Sequence, residues 1–152
     1  MGKLLQRLRE RVAVSLLSNF TTTNLTATNT SLSFSIGPNE TWTVDVQLTA
    51  QCSGPGGIKY SVAAPIGAGI EGWIYSSTNA ILTLSYQRLV AIATLNATAL
   101  HTVASTPAPD VLRFTITNGV TAGSVVIQAA SVTSGQTTTV FAGSWLSARR
   151  SV

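Results

Sequence analysis

Side chains able to do acid–base or nucleophilic chemistry are scarce in this sequence. His101 is the only imidazole and Cys52 the only thiol among 152 residues. A Ser-His-Asp site needs a carboxylate to hold the imidazole and an exposed serine beside it. Asp110 lies nine residues beyond His101, across a proline-containing connection, and no Gly-x-Ser-x-Gly elbow presents a serine. His101 therefore reads as a loop histidine without catalytic duty. Glycoside hydrolysis needs two carboxylates at a set separation, and the chain has five acids in all. Glu10 sits among arginines and Asp45 falls on a polar strand face. Glu40, Glu71 and Asp110 remain, with no spacing that pairs them. Gly54-Pro55-Gly56-Gly57 lacks the following helix and the Lys-Ser/Thr of a phosphate cradle, so it reads as a turn. A lone cysteine allows no intramolecular disulfide, and one histidine cannot complete a Cys/His metal site. The expectation is a non-enzymatic chain with no catalytic residue, no cofactor and no metal.

Aromatic side chains offer a different chemistry, that of contact. Trp42 falls on the apolar face of a strand and reads as core. Trp73 and Trp145 are candidates for an interface, or for a surface on which a sugar ring stacks; subunit or core contact is the commoner use of such residues. Five Asn-x-Ser/Thr triplets, at Asn19, Asn24, Asn29, Asn39 and Asn96, would matter only in a secreted eukaryotic protein.

These residues must be positioned by elements that the periodicity predicts. Leu5, Leu8, Val12 and Leu16 form a stripe at helical spacing, with Arg7 and Arg11 on another face, so residues 3–17 are read as an amphipathic helix. The polar segment Thr21-Thr22-Thr23-Asn24 then reads as a tether. This divides the chain into a helical arm (1–18), a polar linker (19–30) and a β domain (31–152). The arm either packs on its own domain or docks on a neighbouring subunit. The tether favours docking, in which case removing residues 1–17 should leave the β domain folded. From residue 31 the period becomes two. Trp42, Val44, Val46, Leu48, Ala50 and Cys52 alternate with Thr43, Asp45, Gln47 and Gln51, which defines a long strand with one buried face. Ile58, Tyr60, Val62 and Ala64 continue the pattern after the Ser53–Gly57 turn, so 41–64 is read as a hairpin. Further strands are predicted near 70–76, 80–86, 88–95, 111–117, 123–131 and 137–142. Pro107-Ala108-Pro109-Asp110 is read as a connection, because its prolines exclude a central strand. The expected fold is all-β: an antiparallel, jelly-roll-like β-sandwich preceded by one short helix.

Composition limits the partners. Charged residues make up 9% of the chain, against roughly 25% in a typical soluble domain. Either much of the surface is buried against other copies, or the 39 serine and threonine hydroxyls solvate it. Net charge is +4, yet residues 1–11 carry +3 and Arg149-Arg150 carry +2, so the body between them is −1. No basic face runs through the middle, which argues against a nucleic-acid-binding fold. The basic ends remain available to an acidic protein surface or a packaged genome. The apolar run Val12–Leu17 is six residues long, short of the roughly 7–15 of a signal peptide. No run reaches the about 20 residues of a membrane span, so no membrane is expected.

The C-terminal half carries a resemblance. Asn118-Gly119-Val120-Thr121-Ala122-Gly123-Ser124-Val125-Val126-Ile127-Gln128-Ala129-Ala130-Ser131, followed by Thr139-Val140-Phe141-Ala142-Gly143-Ser144-Trp145-Leu146-Ser147-Ala148-Arg149-Arg150, resembles the closing strands of small β-sandwich modules in tailed-phage structural proteins. Thr41–Ala64 looks like the matching early segment, so the resemblance covers roughly residues 40–150. It implies a virion component. The first expectation is a capsid decoration (cement) protein, a homotrimer attached to the major capsid protein. Leu5, Arg7, Leu8, Arg11 and Val12 of the arm, with Trp73 and Trp145, would make the contacts. The alternative is a fibre, baseplate or receptor-binding tail module whose exposed aromatics meet a host glycan. A wall or polysaccharide hydrolase is the third reading, disfavoured by the poverty of acids and histidine.

Overall fold

The computed structural model describes residues 10–77, 84–96, 99–100 and 106–151. They contain eleven strands in two antiparallel sheets. β4 (Thr41–Cys52) is the spine, and its alternation is the reason: every even residue from Trp42 to Cys52 is buried, while Gln47 and Thr49 face solvent. β8 (Ala108–Thr117) pairs along one side of β4 over ten residue pairs, from Thr41↔Thr117 to Ala50↔Ala108. β6 (Gly69–Ser77) and β7 (Leu84–Leu89) extend the sheet beyond β8. On its other side β4 takes β11 (Trp145–Arg150) and then β1 (Arg11–Ser15). The C-terminal end of β4 instead takes β10 (Thr138–Val140), which carries β2 (Phe20–Thr22). The smaller sheet runs in the order β3 (Thr28–Ile36), β9 (Gly123–Ser131), β5 (Ile58–Ala63).

The sheets close on one core. Phe34 of β3 meets Trp42 of β4 with ring centroids 5.2 Å apart, and Leu32, Val44, Val46, Ile127 and Leu112 are fully buried around them. A buried polar tie also crosses the core: the Tyr60 hydroxyl of β5 donates to Asp110 Oδ2 of β8 at 2.6 Å. Burial and the adjacent Asp110 carboxylate push the Tyr60 phenol well above its ordinary pKa.

Four expectations are corrected by this architecture. Residues 11–15, the second half of the expected helix, form strand β1. Val12, Val14 and Leu16 face the core at period two. Val12 and Leu16 are four apart and satisfy a helical stripe equally well; β-branched Val12 and Val14 and the open ladder of β11 decide for strand. β1 is thus an edge strand of the sandwich, so removing residues 1–17 would also take away a partner of β11. Leu5, Arg7 and Leu8 lie outside the described residues. The expected linker carries β2 and the start of β3. The expected 41–64 hairpin does not form: Ser53–Gly57 carries the chain from one sheet to the other, with Gly57 at φ 86°. Finally, the expected connection at Pro107–Asp110 contains the start of β8. Pro109 faces Thr49 of β4, but the β6 ladder ends at Asp110, so the missing N–H falls where the strand has one neighbour.

The edge of β5 is bonded by Ala93, Asn96 and Leu100. Ala93 N donates to Val62 O, and Leu100 exchanges two backbone bonds with Ile58. Asn96 pairs both backbone groups of Tyr60: its N–H donates to Tyr60 O, and its Oδ1 accepts from Tyr60 N. Its Nδ2 reaches Gln87 of β7 at 3.1 Å. Asn96 is 5% exposed, so its side-chain amide is a structural tie, closed to a glycan. Asn96→Ala should destabilise by about 1–3 kcal/mol, since it strands a buried amide. A smaller loss of urea midpoint, within that of an exposed control such as Thr94→Ala, would contradict the tie.

Candidate functional site: the outer face of the larger sheet

Because side chains alternate along a strand, the register assigns every residue on the outer face of the larger sheet to a row across the strands. One row runs Ser15, Trp145, Gln47, Val111, Tyr75, Tyr86. The next runs Ala13, Ser147, Asp45, Arg113, Trp73, Arg88. A third runs Arg11, Arg149, Thr43, Thr115, Glu71. Arg11, Trp73 and Trp145, all candidates from the sequence, therefore share one surface. Trp145 and Trp73 stand three strands apart, roughly 14 Å at the usual strand spacing. Val12, also a candidate, points the other way and packs against the core.

The face has two halves of different chemistry. At the β6–β7 margin, Trp73 stacks on Tyr86 with centroids 5.0 Å apart and planes 23° apart, and Tyr75 tilts against Tyr86 at 5.9 Å. Tyr75 is 41% and Tyr86 58% exposed. Two ion pairs flank the rings: Arg88 with Glu71 at 2.9 Å and Arg113 with Asp45 at 2.5 Å. The Asp45 hydrogen bond and charge raise the Arg113 pKa further. Both pairs are solvated, and such pairs set orientation more than stability. At the β1–β11 margin lies an open hollow of about 260 Å³, lined by Arg11, Thr43, Asp45, Ser147 and Arg149. A second hollow, which shares Arg11, Asp45 and Ser147 with the first, reaches Arg113 and Trp145, the latter 37% exposed.

The three carboxylates left over from the sequence as catalytic candidates are not brought together. Asp110 is in the core on Tyr60, and Glu71 is on the outer face with Arg88. Glu40 clasps one end of the sandwich. Its carboxylate accepts from Trp42 Nε1 at 2.9 Å and from Gly37 N at 2.8 Å, and pairs with Arg150 at 3.0 Å. Desolvation raises the Glu40 pKa, but the two hydrogen bonds and Arg150 outweigh it and hold the carboxyl below its ordinary 4.5. A lowered folded-state pKa contributes stability above the unfolded value and loses it as pH falls through the folded one. Wild type should therefore lose stability as pH drops below about 4.5. Glu40→Gln should cost about 1–2 kcal/mol at pH 7 and should show a flatter acid limb. Parallel acid limbs for the two proteins, measured by urea unfolding at pH 7 and 3.5, would contradict this role. His101 lies outside the described residues. Cys52 is buried, as its strand position implies.

Sequence reasoning did not single out Tyr75, Tyr86 or the pairing of Arg11 with Arg149. Tyr75 was legible, since Glu71, Trp73 and Tyr75 alternate with Ile70, Gly72 and Ile74. The arginine pair was not, because it exists only where the first strand meets the last.

No protein-family model matches the sequence, and no curated protein matches it. Among solved structures, the tripod (BppUct-A-L) from the baseplate of bacteriophage Tuc2009 is similar over 88% of this chain, at 11% identity and a TM-score of 0.32. The VP2 subviral particle of infectious bursal disease virus is similar over 96%, at 7% identity and a TM-score of 0.25. The structure of the Gx strain of infectious bursal disease virus matches over 94%, at 10% identity and the same TM-score. The chain spans 64%, 38% and 40% of the length of those three chains. Likenesses of this size assign neither a family nor an activity, and the chain is placed by its own architecture: an all-β protein of two antiparallel sheets with an aromatic and arginine-bearing outer face.

Proposed function

We propose that the protein is a non-enzymatic structural component of a virus particle: a phage capsid decoration protein that assembles as an oligomer, with a trimer the expected form, and attaches to the shell. The observation that carries this reading is the outer face of the larger sheet. It presents Trp145, Tyr75, Tyr86 and Arg11 to solvent on one face, with half-buried Trp73 among them. Aromatic residues and arginine are the types enriched at protein interfaces. The resemblance of residues 40–150 to phage β-sandwich modules supplies the setting, and the low charge content agrees with a surface meant to be covered. Purified protein mixed with undecorated capsids should co-sediment with them. Failure to pellet with any capsid or virion fraction would sink the proposal.

A tail-borne receptor-binding module is the second reading, favoured by the stacked Trp73–Tyr86 pair with Tyr75 beside it. Exposed rings in this arrangement offer a platform for the C–H face of a sugar. Binding to host cells or glycans that disappears in Trp73→Ala would move the assignment from shell to tail.

A further inference from the structure

Arg11 and Arg149 occupy directly opposed positions on β1 and β11, and both are exposed on the outer face. Like charges directly opposite each other across an antiparallel pair oppose pairing. Here no ion pair among the described residues engages either of them. Asp45, which lines the same hollow, is engaged by Arg113 at 2.5 Å. Glu10 and Glu40 are drawn to Arg150. Arg11 has only a 3.4 Å contact to the Ser147 hydroxyl. The pair therefore leaves net positive charge at a hollow whose other walls are the hydroxyls of Thr43 and Ser147 and the Arg113-bound carboxylate of Asp45. Trp145, with its indole exposed, lines an adjoining hollow that shares Arg11, Asp45 and Ser147 with this one.

We infer that this hollow is the docking site for an acidic segment of a partner protein, with a carboxylate held between Arg11 and Arg149 and a neighbouring apolar side chain on Trp145. Guanidinium forks bind carboxylates in bidentate geometry, and an incoming carboxylate would relieve the repulsion that the isolated chain carries. A nucleic-acid backbone fits this surface less well. Its phosphates recur along the strand, whereas Asp45 and Glu71 interrupt the same face. The inference rests on the attachment reading above and names the chemistry of the partner.

The test uses the full chain and three probes: a labelled decamer of glutamate, a decamer of glutamine, and a twelve-nucleotide oligothymidylate. Wild type should bind the glutamate decamer, more weakly as salt rises, and bind the other two at least tenfold less well. Arg11→Gln and Arg149→Gln should each lower glutamate-decamer affinity about tenfold. Their melting temperatures should equal or exceed that of wild type, because each removes one of two repelling charges. Arg88→Gln, at the far margin of the same face, should change nothing. Equal binding by wild type and both variants, or tighter binding of the oligothymidylate, overturns the inference. So does a loss of binding that Arg88→Gln reproduces. Capsid sedimentation separates this from the broader reading. If wild type and the Arg11→Gln/Arg149→Gln double variant pellet equally, attachment stands and the proposed site is wrong. If wild type does not pellet but the decamer result holds, the site stands and the virion assignment is wrong.

Discussion

Gly72→Val should destabilise the protein by about 3 kcal/mol, the upper end of the usual overpacking cost, and should loosen the aromatic half of the outer face. Gly72 lies mid-strand in β6, opposite Phe114 on β8 and Leu89 on β7. A Cβ at this position would fall inside contact distance of the Arg113 carbonyl oxygen and of Phe114 Cα and Cβ. These are backbone and near-backbone atoms, so no rotamer change makes room; β6 and β8 must part. Trp73 adjoins the site, Tyr75 lies two residues further along β6, and both would move with the strand. Gly69→Ala is the internal control. It lies in the same strand with nothing within 4 Å of an added Cβ, so it should melt like wild type. Urea unfolding followed by tryptophan fluorescence reads both. Equal midpoints for the two glycine variants would refute the close approach of β6 to β8.

Tyr60→Phe should cost about 2–3 kcal/mol while leaving the packed ring in place. The hydroxyl removed is the donor to Asp110 Oδ2 across the core. Hydrogen bonds to charged groups carry about 1.5–3 kcal/mol, and a carboxylate that loses a donor at full burial keeps its desolvation cost. The same bond predicts an alkaline limb. Tyr60 titrates well above its ordinary 10.0 in the folded protein. A pKa raised by folding gives stability that is complete below the unfolded value and is lost as pH rises through the folded one. Wild type should therefore weaken above about pH 10, and Tyr60→Phe should lack that part of the loss. If the variant retained wild-type stability at pH 7, the inter-sheet bond would be dispensable and Asp110 would be held by its other contacts.

The errors of sequence reading follow one pattern. Alternation identified β4 and β9 with their actual bounds, because each carries an unbroken apolar file on one face. It failed where short segments fit two periods, as at Val12–Leu16, and where two strands were expected, near 80–86 and 88–95, but one, β7 (Leu84–Leu89), is found among the described residues. It also failed in pairing. The turn after Cys52 contains the glycines and proline of a hairpin, yet β4 pairs with β8 and β11, and β5 with β9. Local turn chemistry reports that the chain bends; which sheet it enters depends on apolar faces distant in sequence.

By itself the sequence determined that the chain is built of antiparallel strands, that Trp42 and Cys52 point inward, and that positive charge gathers at the two ends. These are properties of local pattern, legible because a strand repeats every two residues. Only the tertiary structure decided that the two ends are neighbours. Pairing of β1 with β11 brings Arg11 against Arg149, and pairing of β6 with β7 and β8 puts Trp73, Tyr75 and Tyr86 on the same face as Trp145. Arg11 and Arg149, which lie at opposite ends of the described chain, stand side by side on one margin of one sheet. The physical reason is register: side chains separated by more than a hundred residues share a surface only after the hydrogen-bond ladder fixes which strands lie side by side.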